Sequence, residues 1–249
     1  MNLSLYLFAA LFLPLFPLSM VFNQGFTRLR QPWLRALLLL IWPQIGVWLI
    51  GQAGAPIPGW FIAWALFTAA LYAYRALALR EVGLWIGFLA TSAWALLWVG
   101  AAEPELGYLQ ALGFSLPLAL MSLLTGSLES RLGAVHTSLG GGLAASSPRF
   151  AALFVVAVLA VVATPVFPGF FTLLASVLGQ VTAAPTSALA LVLVWLLWSW
   201  SGVRLLQGIV VGPPRDQRVE DMTTIATWAY AAGFGVLALV GIELGGVLL

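Results

Sequence analysis

The sequence predicts an all-α protein, a polytopic transmembrane helical bundle with about eight crossings and one discontinuous helix. Three observations support this prediction. First, 62% of the 249 residues are hydrophobic and 7% are charged, with a mean hydropathy of +1.05, whereas a soluble domain carries about 25% charged residues. Second, apolar runs of about 20 residues, long enough to span a bilayer as helices, recur along the chain. Third, arginines fall in alternate loops between these runs.

The apolar runs lack the alternation of polar and apolar residues that a membrane β-barrel shows, so each is assigned as a helix. No linker divides the chain, and residues 1–249 are expected to form a single transmembrane domain. The predicted crossings comprise residues 5–22, 33–50, 60–79, 82–101, 106–128, 150–164, 169–204 and 223–248.

The seventh predicted crossing, residues 169–204, is too long for one regular span, and we expect an interruption at residues 180–185. A segment rich in proline and glycine precedes it. Helices broken inside a membrane free backbone groups, which often face a cavity or an ion path. Because it has no titratable neighbours, the break is better explained as an inherited feature of the fold. The residues assigned to the discontinuous helix are Pro165, Pro168, Gly169, Phe170 and Pro185.

Loop charges predict the orientation. All ten basic residues are arginines, and they lie in or at the edges of the loops that follow the first, third, fifth and seventh predicted crossings. Because basic residues favour the cytoplasmic side, both termini are expected outside, in a bacterial cytoplasmic (inner) membrane. Splitting residues 169–204 into two crossings would place Arg215 and Arg218 outside, so the charge pattern favours one interrupted crossing.

Composition also excludes several functions. The chain has no cysteine and one histidine, His136, which excludes disulfides, thiolate-ligated clusters and multi-histidine metal sites. It has no basic run long enough for nucleic acid. We find no nucleophile paired with a base, no phosphate-binding loop and no metal-ligand cluster. No catalytic residue, metal or cofactor is therefore expected in this chain.

Between residues 109 and 214, the residues that begin and end helices occur in a distinctive order. A glycine-glycine-leucine turn comes first, then a proline before a helix, and then a Pro-x-x-x-Gly-Phe segment. This region resembles the antiporter-like (proton-translocating) membrane subunits of complex I (NADH–quinone oxidoreductase), Mrp antiporters, membrane hydrogenases and inorganic-carbon uptake complexes. The resemblance implies a shortened relative. The matching residues are Gly126, Arg131, Gly141, Gly142, Leu143, Pro148, Pro165, Gly169 and Phe170.

The departures from the family are as informative. The resemblance implies a proton path that includes a histidine, a lysine and a glutamate (or lysine). At the three matching positions this chain has Phe114, Leu118 and Leu173. The sequence therefore resembles a degenerate member whose titratable residues are apolar.

Few ionisable residues remain as candidates for an ion path or a partner contact: Arg75, Arg204, Glu243 and His136. The alternative is that the arginines anchor span ends at the membrane interface, while His136 is solvated in a polar loop. Most of the twelve tryptophans are expected to be interfacial anchors.

The sequence thus favours a non-pumping structural or assembly subunit of an ion-translocating or redox-linked complex, itself at most a subunit of an enzyme. Its expected partners are other membrane subunits, including a full-length antiporter-like paralogue, and the lipid bilayer. One alternative is that the chain contributes half of a proton or cation path that a partner completes. An alternative of another class is a stand-alone small-solute carrier.

Overall fold

The computed structural model describes residues 2–54, 56–100, 104–132, 136, 141–212 and 221–249. Helices make up most of these residues and no β-strand occurs among them, which confirms the all-α class. The helices are α1 (Asn2–Phe12), α2 (Ser19–Arg28), α3 (Pro32–Ala53), α4 (Gly59–Ala76), α5 (Val82–Gly100), α6 (Pro104–Leu132), α7 (Leu143–Ser146), α8 (Pro148–Val161), α9 (Pro168–Val181), α10 (Pro185–Ile209) and α11 (Thr224–Leu248).

Five of these helices, α3, α5, α6, α10 and α11, are long and apolar enough to cross a membrane. Helices α1, α8 and α9 are apolar but shorter, and a 14-residue helix extends only about 21 Å. A short apolar helix spans a bilayer only together with a second segment. The protein is therefore an integral membrane protein whose apolar helices differ in length.

Helix α5 forms the centre of the bundle. It packs against α2, α4, α6, α9 and α10. Of the residues in its apolar membrane-spanning stretch, 94% are buried inside the protein. In α11 the corresponding share is 28%, so this helix lies at the periphery. A helix that is apolar on all sides belongs inside a bundle, as α5 does.

One end of the bundle collects the arginines. Arg35, at the start of α3, forms an ion pair with Glu129, near the end of α6, at 3.0 Å. At the start of α8, the backbone N–H of Arg149 donates to the carboxylate of Asp221, just before α11 (3.1 Å). Every arginine among the described residues lies at this end, which we call the arginine end; Arg215 and Arg218 lie outside the described residues.

The predicted first span, residues 5–22, is interrupted between α1 and α2. Tyr6 packs against Phe61 at the start of α4, with ring centroids 5.8 Å apart, whereas the Leu29 carbonyl accepts a hydrogen bond from Arg35 Nε (2.6 Å) at the start of α3. Because α3 leads directly into α4, these two contacts lie at opposite ends of the bundle, and α1 and α2 cross it together. The sequence analysis assigned one discontinuous helix, and the structure shows a second interruption, between α1 and α2.

Helices α8 and α9 form the other interrupted segment, which also extends between the two ends of the bundle. The backbone N–H of Phe150, in α8, donates to Asp221 at the arginine end (3.2 Å). Gln180, near the end of α9, donates from Nε2 to the carbonyl of Val99 (3.4 Å), at the end of α5 and the opposite end of the bundle. The gap between the two helices comprises residues 162–167.

Helix α10 then returns beside α9. Phe170, at the start of α9, and Trp195, in the middle of α10, have ring centroids 5.8 Å apart, whereas one straight helix would separate them by about 37 Å. The helix does break within residues 180–185, as predicted, but the interpretation of residues 169–204 as one interrupted crossing is wrong, because residues 182–184 form a turn between antiparallel helices. Pro185 is the first residue of α10, a position where its missing N–H costs no helical hydrogen bond.

Candidate functional site at the helix interruptions

The backbone between α8 and α9 is held in an unusual conformation. Pro165 and Pro168 lack N–H groups and cannot continue the helical hydrogen bonds. Ala163 and Val166 have φ values of 58° and 88°, a region that a β-branched residue rarely enters. Such a conformation costs about 1–3 kcal/mol per residue and persists only where the surroundings hold it. The interruption is thus a place where packing overrides local preference.

An indole satisfies the carbonyls that this interruption frees. Trp195 Nε1, from α10, donates to the carbonyls of Val162 and Ala163, both at 3.2 Å. Inside a bilayer no water is available to donate a hydrogen bond to these carbonyls, and a backbone group without a partner is costly there. The indole N–H only donates and does not titrate near neutral pH. The two carbonyls are therefore bonded to a group that cannot carry a proton across.

Glycines on neighbouring helices close the space around the interruption. Gly241, in α11, lies so near it that a Cβ atom there would be 2.9 Å from the Phe167 carbonyl carbon and the Pro168 nitrogen. A Cβ on Gly113, in α6, would lie 3.4 Å from the Pro168 carbonyl oxygen. Backbone is thus packed directly on backbone on two sides.

The positions that the family resemblance marks as titratable lie beside this interruption or on the helix facing it. Phe114, Leu118 and Leu173 are 5%, 2% and 1% exposed. Phe114 and Leu118 line an apolar cavity of about 10 Å³, together with Gly169 and Trp198. A cavity of that size is at the lower limit for one water molecule, which would also need polar partners. The structure therefore places apolar packing where the resemblance implies a proton path.

The interruption between α1 and α2 is satisfied in the same way. Three tryptophans from three different helices donate their indole N–H to its carbonyls, and the Phe16 N–H donates to Thr68 Oγ1 (3.1 Å). At both interruptions, therefore, an indole N–H replaces the backbone N–H that would donate to these carbonyls in a continuous helix. The three indole bonds are Trp42 to Leu11 (3.2 Å), Trp98 to Leu13 (3.0 Å) and Trp64 to Phe16 (2.6 Å).

The prediction that most tryptophans are interfacial anchors is wrong for the buried ones. Trp85, Trp94, Trp98 and Trp198 are at most 1% exposed. Three of these indoles donate to serine hydroxyls on neighbouring helices: Trp85 to Ser201 (3.1 Å), Trp94 to Ser115 (3.0 Å) and Trp198 to Ser92 (2.8 Å). These residues are interior hydrogen-bond donors, a role that sequence analysis missed because the donor and acceptor are far apart in the chain.

Four buried polar atoms have no hydrogen-bond partner among the described residues. They are Gln44 Nε2, Ser122 Oγ, Thr125 Oγ1 and Thr172 Oγ1. Thr172 lies in the first turn of α9, beside Gly113. None of these groups changes its charge near neutral pH, so they supply polarity and no proton exchange.

The structure does not bring the four ionisable candidates together. Arg75 is exposed at the arginine end, with its guanidinium carbon 5.1 Å from the centroid of Phe88. Arg204 is exposed beside a larger cavity at the same end. Glu243 is exposed near the far end of α11, and His136 pairs with Glu81 through the backbone. Among the described residues, no group of three or more His, Asp and Glu could hold a metal.

The glycine-glycine-leucine turn closes onto the end of α10. Gly142 has φ 88° and precedes α7, whose Ala144 N–H donates to the Val210 carbonyl (3.2 Å). A Cβ on Gly141 would clash with the Val211 carbonyl oxygen. Pro148 is the first residue of α8. The turn thus fixes the start of the interrupted α8–α9 crossing against α10.

Comparison with known proteins supports this architecture. No protein-family profile and no curated protein matches the sequence. In solved structures, a chain of respiratory complex I from Thermus thermophilus with bound NADH matches with a TM-score of 0.86 and 24% identity, over 98% of this chain and 55% of that chain. The fold is that of complex I and Mrp membrane subunits.

This antiporter-like fold recurs in other complexes. A chain of the Mrp complex from Dietzia sp. DQ12-45-1b matches with a TM-score of 0.84 and 16% identity, over 99% of this chain and 57% of that chain. A chain of the membrane-bound sulfane sulfur reductase, an archaeal respiratory membrane complex, matches with a TM-score of 0.79 and 16% identity, over 99% and 54% respectively. The chain spans about half the length of these antiporter-like chains.

Proposed function

We propose that this chain is a non-pumping membrane subunit of a multi-subunit ion-translocating or redox-linked complex. The main support for the proposal is the hydrogen bonding and the apolar packing at the two interruptions. Indole N–H groups donate hydrogen bonds to the carbonyls of Val162 and Ala163 and to the freed carbonyls of the α1–α2 crossing. The positions that the resemblance marks as titratable are apolar and buried. The chain keeps the scaffold of an antiporter-like subunit and uses it to pack against and orient its neighbours.

The distribution of charge supports this role. A proton relay across a bilayer needs groups that gain and lose protons near the membrane centre, and such groups are rare because they are costly there. The arginines of the described residues lie at one end of the bundle, and Glu243 is exposed near the other. Within the described residues, the carbonyls that accept hydrogen bonds at the two interruptions accept them from indoles and not from an ionisable side chain.

The proposed topology has eight crossings: α1–α2, α3, α4, α5, α6, α8–α9, α10 and α11. Both termini lie outside, and the arginine end faces the cytoplasm of a bacterial cell, because basic residues favour that side. The sequence-based count of eight is kept, but the interrupted segment is α8–α9 and α10 is a full crossing. Each short loop that carries arginine then remains cytoplasmic.

Single cysteines test this topology, since the chain has none of its own. We expect Thr182→Cys, in the turn between α9 and α10, to react with a membrane-impermeant maleimide in intact cells. Gln31→Cys, exposed at the arginine end, is the matched control and should react only after permeabilisation. If residues 169–204 were one crossing interrupted at 180–185, Thr182→Cys would stay unlabelled in both conditions.

Partner contact is proposed for the outer face of α11. Trp228, Val236 and Leu239 are 71%, 59% and 64% exposed, and Glu243 lies exposed on the same helix. A carboxylate exposed among apolar side chains near a helix end is more stable when paired with a neighbour than when facing lipid. The proposed neighbour is another membrane subunit, with a full-length antiporter-like paralogue as the leading candidate.

Transport by the assembled complex tests the non-pumping role. The chain would be purified in mild detergent with its co-purifying subunits, which are identified and reconstituted into vesicles. Arg75→Ala and Glu243→Gln are expected to leave coupled ion transport per assembled complex within about twofold of wild type, a barrier change of under about 0.5 kcal/mol. Loss of transport in a complex of unchanged composition would contradict the proposal and favour the half-path alternative. A monodisperse chain without partners that moves a solute would favour the carrier.

A further inference from the structure

A cavity at the arginine end lies between the end of α4 and the end of α10. It has a volume of about 550 Å³. Its lining includes the backbone segment from Leu77 to Arg80 on one side, and Ser201, Arg204 and Gln207 on the other. None of the described lining residues is acidic. The cavity is separate from the interruptions, and the proposed function gives it no role.

The polar groups of this cavity are available for a ligand. Arg80 and Arg204 are exposed, and neither guanidinium forms an ion pair or hydrogen bond with another described side chain or carbonyl. Gln207 is likewise exposed without a hydrogen bond to the described residues. Ser201, by contrast, already donates to the Trp198 carbonyl (2.8 Å) and accepts from Trp85. Two arginines and an amide therefore remain free to bind an anion.

The acidic group next to Arg80 in the described part of the chain is directed away from the cavity. Glu81, next in sequence to Arg80, has its carboxylate 3.6 Å from the position of a Cβ on Gly83, and Arg35 and Glu129 approach the same point at 3.7 Å. Glu81 is thus directed towards the α3–α6 ion pair. The positive charge of Arg80 and Arg204 is therefore not neutralised within the described part of the cavity wall.

The surface next to the cavity is apolar on its membrane side. Tyr74, on α4, and Trp200, on α10, are 66% and 58% exposed. Tyr74 precedes the lining segment that begins at Leu77 by about one helical turn, and Trp200 precedes Arg204 by about one turn. Val203, 52% exposed, lies on α10 between Trp200 and Arg204. A ligand filling this region meets positive charge at the membrane surface and aromatic and aliphatic side chains below it.

We propose that this cavity binds the phosphate headgroup of an anionic phospholipid, with Arg80, Arg204 and Gln207 contacting the phosphate and the acyl chains lying on α4 and α10. Arginine forms paired hydrogen bonds with phosphate oxygens. Basic pockets between transmembrane helices on the cytoplasmic side are suited to anionic headgroups. The lipid would join α4 to α10 at the end where the two helices have no direct ion pair in the described residues.

Lipid retention tests this site. The full chain, or the complex in which it purifies, is delipidated in mild detergent and equilibrated with mixed micelles of phosphatidylglycerol or phosphatidylcholine, and bound lipid is counted by mass spectrometry. We expect wild type to prefer phosphatidylglycerol by about tenfold or more, and Arg80→Gln combined with Arg204→Gln to abolish the preference. The matched control, Arg28→Gln with Arg30→Gln, removes the same charge from exposed positions at the same end and should keep it.

Each outcome of the lipid-retention experiment either supports or overturns the proposed lipid site. Equal loss in the two double variants would show general attraction to the surface and overturn the proposal. Displacement of the lipid by millimolar inorganic phosphate or glycerol phosphate would show a site for a free anion and overturn the lipid assignment. Should Arg80→Gln with Arg204→Gln misfold, judged by gel filtration, Gln207→Leu is used and should reduce retention several-fold. Retention is independent of partners and transport, so its result is distinguishable from failure of the proposed function.

Discussion

Replacing Gly241 by alanine is expected to destabilise the protein by about 3 kcal/mol, at the upper end of the range for overpacked sites. The added Cβ would lie 2.9 Å from the Phe167 carbonyl carbon and the Pro168 nitrogen, and would also clash with the Val166 carbonyl oxygen. All three contacts are with backbone atoms, which cannot rotate away. Val166 already has a positive φ, so the segment has little freedom to adjust. Denaturant titration in detergent micelles measures the effect.

Gly246 provides the matched control on the same helix. A Cβ there would meet nothing within 4 Å, and alanine is the better helix former by about 1 kcal/mol. Gly246→Ala is therefore expected to be neutral or slightly stabilising. Equal destabilisation by Gly241→Ala and Gly246→Ala would mean that α11 does not pack on the interruption as described.

Replacing Trp195 by phenylalanine is expected to cost about 2 kcal/mol. The aromatic ring is kept, but the donor to the Val162 and Ala163 carbonyls (3.2 Å each) is lost. Both carbonyls then lie in an apolar environment without a partner, and removing one partner of a buried hydrogen bond costs more than the bond contributes. The same denaturant titration measures the change in the free energy of unfolding.

The control for this variant is Trp200→Phe. Trp200 lies on the same helix, is 58% exposed and makes no hydrogen bond within the described residues, so its substitution should change the free energy of unfolding by less than about 0.5 kcal/mol. If Trp195→Phe is as stable as Trp200→Phe, the indole does not satisfy the interruption, and the main support for the non-pumping role is lost.

The fold was largely predictable because its causes are local. Apolar runs fix most helices to within a few residues, as for α3, α5 and α11. The loop charges could not predict how residues 150–209 are divided into crossings, because two different divisions place every arginine-containing loop on the same side. An interruption at 180–185 and one at 162–167 give the same number of crossings. Contacts made by Trp195 in α10, with Phe170 and with the Val162 and Ala163 carbonyls, distinguish them.

The interruptions themselves were only partly predictable. The sequence marks Pro165 and Pro168, and the structure confirms that they border a break in the helix. Pro14 and Pro17 give the same signal, yet residues 5–22 read as one regular span because the run is apolar throughout. The indole donors could not be predicted, because Trp195 and Val162, like Trp98 and Leu13, are brought together by packing.

The enclosure of α5 has a consequence for the order in which the chain assembles. When α5 enters the bilayer, Leu13 is already there to accept from Trp98, and Ser115 follows 21 residues after Trp94. Trp85 must wait for Ser201, 116 residues later in synthesis. Until α10 arrives, one side of the central helix faces lipid with an unpaired indole. Completion of the interior is therefore a late event in biogenesis, and the helix that completes it also forms the wall of the arginine cavity.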